Sequence, residues 1–217
     1  MKGIIFDLDG VLINSMPSHF EAWRIAFHEI ANIEVNERTV YLLEGMRGID
    51  LTKNVLELYN VDANEVAPQI TKRKSEIFRS HPTIPKPFTG VQSLLEKSIC
   101  HKSVVSGSPK VDVIALLEQL KNIKFEVIVT ADDVNIGKPD PLAFITALRG
   151  MNISKQDAIV IENAPLGIDA ANAAGIQSLV VLNNSPLDRS DFDGKIDSHR
   201  ILDDIASISA VLSEWCS

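Results

Sequence analysis

The chain has 217 residues and a mass of 23.8 kDa; 45% of it is hydrophobic and 23% charged. That length suits one large domain, or a domain with a smaller insert, and it buries enough core to need no covalent staples. A net charge of −8 disfavours nucleic acid and anionic membrane surfaces, both of which attract basic patches. Cys100 and Cys216 are too few for a disulfide framework and lie in no metal-ligand spacing, so reduced thiols in a cytoplasmic setting are expected. No apolar run approaches the roughly 18–20 residues of a membrane span. Asp7 and Asp9 interrupt the one N-terminal apolar stretch that could pass for a signal sequence, so a soluble chain is expected from Met1 onward.

The first element is the apolar run at 3–6, a buried parallel strand. From 14 to 85 no strand pattern occurs. Instead, Phe20, Trp23, Phe27 and Ile30 recur at helical spacing over 19–30, and segments 51–59 and 66–78 continue the pattern. This helical stretch ends in the Pro-rich segment 82–87, which cannot be helix interior. Strands at 102–105, 125–129, 158–161 and 178–182 follow, with helices at 111–120, 142–149 and 166–174 among them. Such alternation implies βαβ crossovers and an α/β, doubly wound, Rossmann-like parallel sheet. The expected organisation is a core of residues 1–13 and 86–217, with residues 14–85 as an inserted helical cap.

In an open parallel sheet, ligands bind outside the carboxyl ends of the strands. There the sequence offers Asp7 and Asp9, then Ser106-Gly107-Ser108-Pro109, then Lys138 within Gly137-Lys138-Pro139, and finally Glu162-Asn163. Asp7 and Asp9 share a face because alternate strand residues point the same way. Each feature has a plainer use as well. Aspartates cap turns, and Ser108-Pro109 suits a helix start. Asp132 and Asp133 offer further metal ligands, but they read first as loop caps or as partners of Lys138.

Taken in this order, the motifs resemble the haloacid dehalogenase superfamily of phosphotransferases, in its subgroup with a helical cap, over essentially the whole chain. The resemblance implies a phosphatase that hydrolyses a small phosphorylated metabolite, a sugar phosphate by preference, through an aspartyl-phosphate. Asp7 is then the nucleophile and Asp9 the general acid and base. Ser106, Gly107 and Lys138 hold the phosphate, and Mg²⁺ is bound by Asp7, the Asp9 carbonyl, Glu162 and Asn163. Asn163 departs from the family's usual second acid, and Leu142 stands where many relatives place an acid.

In the insert, His19 and Lys74 lie at places similar to those where sugar-phosphate mutases of the family have site residues. Arg47, in Gly45-Met46-Arg47-Gly48, is expected to grip a second substrate group. A β-phosphoglucomutase-like mutase is therefore the near alternative. A non-enzymatic phospho-receiver is more distant, since it has no need of a helical lid. No nucleic-acid or membrane partner is expected, and the chain is expected to be monomeric.

Overall fold

A computed structural model describes residues 2–216, Ala210 by its backbone alone. In chain order the elements are β1 (Gly3–Phe6), α1 (Met16–Ala31), α2 (Glu37–Leu42), α3 (Gly48–Leu58), α4 (Ala63–Ser80), α5 (Val91–Lys97) and β2 (His101–Val105). They continue with α6 (Lys110–Leu117), β3 (Val127–Val129), α7 (Leu142–Met151), β4 (Ala158–Glu162), α8 (Pro165–Ala174), β5 (Gln177–Val181), β6 (Ile201–Leu202) and α9 (Ile208–Cys216). The six strands form one sheet in the order β3-β2-β1-β4-β5-β6, every neighbouring pair parallel.

The sheet is apolar on both faces because helices cover both. Ile4 and Phe6 of β1 and Ile159 and Ile161 of β4 face Leu94, Leu95, Val113, Leu116, Ile208 and Leu212 of α5, α6 and α9. Ile5 and Val160 point the other way, onto Phe144 and Ala147 of α7 and Ala170 and Ala171 of α8. The alternation along each strand thus sorts one continuous apolar run into two cores.

The four helices α1–α4 all fall between β1 and α5 and share a core of their own. Trp23, Ala26 and Phe27 of α1 pack with Val55 and Leu56 of α3 and with Ala67 and Ile70 of α4. Met16 and Tyr41 join this bundle to the sheet side, against Ile168, Val180 and Phe192. The two chain crossings into the bundle run side by side. The amide of Asn14 donates to the Lys86 carbonyl at 2.9 Å, and that of Phe88 to the Leu12 carbonyl at 3.1 Å.

Three short helices (α2, α5 and α9) and the two-residue strand β6 have no counterpart in the sequence expectations. At six, seven and two residues, α2, α5 and β6 are too brief for a periodic signal to stand out. One expectation is corrected. Cys100 and Cys216 are joined in a disulfide, with Cα atoms 5.5 Å apart across a sequence separation of 116. They meet because α9 folds back against the entry to β2, a contact that spacing along the chain does not reveal. Among the described residues no helix is long and apolar enough to cross a membrane.

Candidate active site

β1, β2 and β4 lie side by side at the centre of the sheet, so the residues at their carboxyl ends are delivered to one place. Asp7 and Asp9 leave β1, Ser106 leaves β2, and Glu162 ends β4, all at most 6% exposed. Lys138 reaches in from the loop between β3 and α7. Its Nζ lies 2.5 Å from Asp7 Oδ1 and 2.5 Å from Glu162 Oε1. The other Glu162 oxygen accepts from the amides of Asn163 (2.9 Å) and Ala164 (3.1 Å), at the start of α8. Burial alone would lower the Lys138 pKa, but the carboxylates of Asp7 and Glu162 outweigh it and hold the ammonium above its ordinary value. Burial pushes Asp7 up, with Lys138 opposing and Glu162 and Asp9 reinforcing.

Asp9 is the most heavily hydrogen-bonded acid of the site. Its Oδ1 receives Ser15 Oγ (2.6 Å) and His19 Nε2 (2.9 Å); its Oδ2 receives Ser106 Oγ (2.9 Å) and Ser108 Oγ (3.0 Å). Burial would raise its pKa, yet His19 and the serine hydroxyls hold the carboxyl well below the usual range. Asp9 is therefore ionised in the free protein.

His19 is fixed in turn. It stacks on Phe78 with ring centroids 4.0 Å apart, and Lys74 Nζ lies 2.7 Å from its Nδ1. An ammonium can only donate, so Nδ1 accepts, Nε2 carries the proton, and the neutral ring donates to Asp9. Burial and the Lys74 charge both favour this neutral imidazole. Lys74 itself, 6% exposed beneath Trp23 and Phe78, is pushed by burial down to about 8.

That displacement makes a prediction with a defined sign. Folding lowers the Lys74 pKa, so its charge destabilises the fold fully below about pH 8, and the penalty fades as pH rises toward 10.5. A fall from 10.5 to about 8, at roughly 1.4 kcal/mol per pH unit, is on the order of 3 kcal/mol. Lys74→Met is expected to be the more stable chain at pH 7 and to lose that advantage by about pH 10.5, while its turnover falls because His19 loses its fixed tautomer. Urea unfolding of both chains at the two pH values checks this; equal stability at pH 7 would contradict it.

Other expected residues are placed differently. The Arg47 guanidinium donates to the carbonyl of Asn135 and does not line the cavity above Asp7. It ties the insert to the core. Asp132 caps the Lys110 amide and Asp133 the Thr130 amide and hydroxyl, so they serve as loop caps. Gly107 lines the cavity, and only a glycine fits there. A Cβ on it would meet the carbonyl oxygens of Met46 and Gly45 at 2.6 and 2.7 Å. Gly10 has a φ of +85°, and a Cβ on it would meet Asn163 Nδ2 at 2.2 Å.

One residue escaped the sequence reading. Glu44, in the turn after α2, is 7% exposed and lines the cavity beside Asp7. Its Oε2 accepts from Asn163 Nδ2 at 2.8 Å. Burial and the neighbouring Asp7 and Glu162 carboxylates push its pKa well up. Nothing local in the sequence marks it, because its burial arises only when the insert lies on the core.

Among the described residues, no three histidine, cysteine or carboxylate side chains gather closely enough to hold a metal ion by themselves. The donor set nevertheless fits a hard cation once amide oxygens are counted. Asp7 Oδ2, Glu44 Oε1 and Asn163 Oδ1 are all buried oxygens without a hydrogen-bond partner. Unpaired buried acceptors are rare, and three in one site call for a positive charge.

The cavity above Asp7 encloses about 100 Å³. Trp23, Glu44 and Lys74 of the insert close it against Asp7, Asp9 and Gly107 of the core.

The model of one family, described as haloacid dehalogenase-like hydrolase, matches residues 4–181. The chain is 27% identical over 185 residues to a phosphorylated carbohydrates phosphatase of Thermotoga maritima, covering 82% of this chain and 84% of that one. It is 28% identical over 199 residues to a beta-phosphoglucomutase of Bacillus subtilis, covering 86% of each. A crystal structure of a hydrolase from Pseudomonas syringae shares the fold along the whole of both chains, with a TM-score of 0.89 and 23% identity. A match over so much of the sequence, with the same fold beneath it, places this chain in the haloacid dehalogenase-like hydrolase family.

Proposed function

We propose that the protein is a Mg²⁺-dependent phosphatase of small phosphorylated carbohydrates, working through a phosphoryl group carried transiently on Asp7. The observation that carries this reading is the pairing of a buried carboxylate, Asp7, with the Lys138 ammonium 2.5 Å away and with Asp9 in the same cavity. A carboxylate meets an anionic ester only if positive charge offsets both, and Lys138 supplies part of it. A bound Mg²⁺ would neutralise further phosphoryl charge, and Asp7 and Asn163 have oxygens free to hold it.

In the first half-reaction an Asp7 oxygen bonds to phosphorus, the ester P–O bond breaks, and the leaving oxygen takes a proton from Asp9. In the second, Asp9 takes a proton from water, the water oxygen bonds to phosphorus, and the Asp7–phosphorus bond breaks to release inorganic phosphate. Asp9 is ionised in the free protein, so it must gain its first proton as substrate binds. An incoming phosphate draws the Ser106 and Ser108 hydroxyls away from Asp9 and sets negative charge beside it, and both changes raise its pKa.

Residues 14–85 act in this reading as a lid. Drug-sized ligands occupy roughly 300–1,000 Å³, so the cavity of about 100 Å³ admits a phosphoryl group and little more until the insert swings away. The hydrogen-bonded crossings at Asn14–Lys86 and Leu12–Phe88 are the hinges. The carbohydrate class rests on the relatives, one named a phosphorylated carbohydrates phosphatase and one a beta-phosphoglucomutase. A mutase is the second reading, favoured by the Lys74–His19–Asp9 chain, because an imidazole that donates to Asp9 lowers its readiness to take a proton from water.

The test is a panel of triose, pentose and hexose phosphates assayed for released phosphate. Release that requires Mg²⁺ and stops with EDTA is expected for at least one member. No release from any of them would contradict the phosphatase. Interconversion of sugar phosphate isomers without release, dependent on bisphosphate priming, would establish the mutase instead.

A further inference from the structure

We propose that Glu44, carried by the helical insert, is a metal ligand that stands in for the acid absent at position 163, so that core and insert bind the divalent cation jointly. This rests on the reading above only in taking the site to be cation-dependent. The proposal stands on a pattern of unmet oxygens. Glu44 Oε1, Asn163 Oδ1 and Asp7 Oδ2 are each buried without a partner, and Glu44 and Asn163 touch through Oε2 and Nδ2 at 2.8 Å. The amide therefore spends its donor on Glu44 and leaves its own oxygen, like that of Glu44, unsatisfied. One hard cation among these oxygens would satisfy all three.

Glu162 is poorly placed to do the same. Both of its oxygens are engaged, one by Lys138 and the other by the amides of Asn163 and Ala164. With Asn163 neutral, Asp7 is the core carboxylate of the site that keeps an oxygen, Oδ2, free for a cation, and Glu44 restores the second negative charge from the insert. The turn that carries Glu44 is closely seated. A Cβ on Gly45 would meet Lys138 Cδ at 2.6 Å, and one on Gly137 would meet the Arg47 amide nitrogen at 2.8 Å. Withdrawal of the insert takes the ligand with it, so lid opening loosens the metal and metal binding favours the closed lid.

The test is Mg²⁺ binding itself, read by calorimetry and by the gain in Tm over EDTA. Four chains are compared: wild type, Glu44→Gln, the double variant Glu44→Gln with Asn163→Asp, and Asp7→Asn. Glu44→Gln is expected to weaken Mg²⁺ binding at least tenfold and to lose most of the Mg²⁺-induced gain in Tm. The double variant moves the carboxylate from the insert back to the core, and its affinity is expected to return to within about threefold of wild type. Should Glu44→Gln not fold, Glu44→Met carries the same comparison.

Binding by Glu44→Gln within threefold of wild type, while Asp7→Asn is weakened, would overturn the proposal and leave Glu44 as a hydrogen-bonded latch. A loss that Asn163→Asp does not repair also counts against it, because damage to the fold alone behaves that way. If neither Glu44→Gln nor Asp7→Asn changes the affinity, the cation-dependent reading of the site fails with it.

Discussion

Replacing Asp7 by Asn is expected to reduce turnover by more than about 10⁴-fold while the chain stays folded. The amide has nearly the shape of the carboxylate but is a very poor nucleophile, so the covalent route closes and only binding remains. The fold survives because the position is defined by β1, whose Gly3–Phe6 backbone is paired on both sides with β2 and β4. The Asn side-chain oxygen can still accept from Lys138, and the Glu162 carboxylate stays to balance the ammonium. Steady-state phosphate release and a Tm for each chain check the expectation. Retention of a tenth of wild-type turnover would remove Asp7 from the role of nucleophile.

Lys138→Met is expected to lose both activity and stability. Its ammonium lies between Asp7 and Glu162, whose side chains are 4% and 1% exposed, and among the described residues no other cation pairs with them. Removing one partner of a buried ionic cluster leaves charge uncompensated and costs about 3–5 kcal/mol. The loss has a pH signature. Without the ammonium the two carboxylates repel at close range, so the folded variant holds protons that the unfolded chain releases. Its deficit is then largest near neutral pH and shrinks as pH falls into the range where the acids protonate. The triple variant Lys138→Met, Asp7→Asn, Glu162→Gln is expected to regain most of the stability and none of the activity. Urea unfolding at pH 5 and pH 7.5 reads all three. A Lys138→Met deficit that is below 1 kcal/mol, or equal at both pH values, would contradict the electrostatic account.

The parts legible in the sequence are those in which local pattern and function coincide. β1 announces itself because four apolar residues stop abruptly at Asp7. Ser106 and Glu162 stand where apolar strands stop as sharply, and parallel-sheet topology brings such ends to one rim, which Lys138 reaches from the loop between β3 and α7. His19 and Lys74 could be placed on helices, but periodicity cannot say that both turn inward. Their burial depends on α1 and α4 packing as a pair, with Phe78 stacked on the imidazole.

Glu44 and the disulfide lay out of reach for one reason. Each depends on where a distant segment folds back, Glu44 on the seat of the insert and Cys216 on the return of α9 to Cys100. Arg47 is the opposite case. A Gly-rich turn beside the site suggested a substrate grip, whereas the guanidinium ties the insert to the Asn135 carbonyl.

The most direct measurement traps the phosphoryl group on the protein. Asp9→Asn keeps the nucleophile but removes the base that activates water, a loss worth about 10²–10⁴-fold in the second half-reaction. The variant is mixed with Mg²⁺ and a reactive phosphate ester, quenched in acid, and read by intact mass and then by peptide mapping. The account predicts one added phosphoryl group, located on the peptide that contains Asp7 and absent when Asp7→Asn is combined with Asp9→Asn. A phosphoryl group on any other residue, or persistent phosphate release without Asp7, would contradict it.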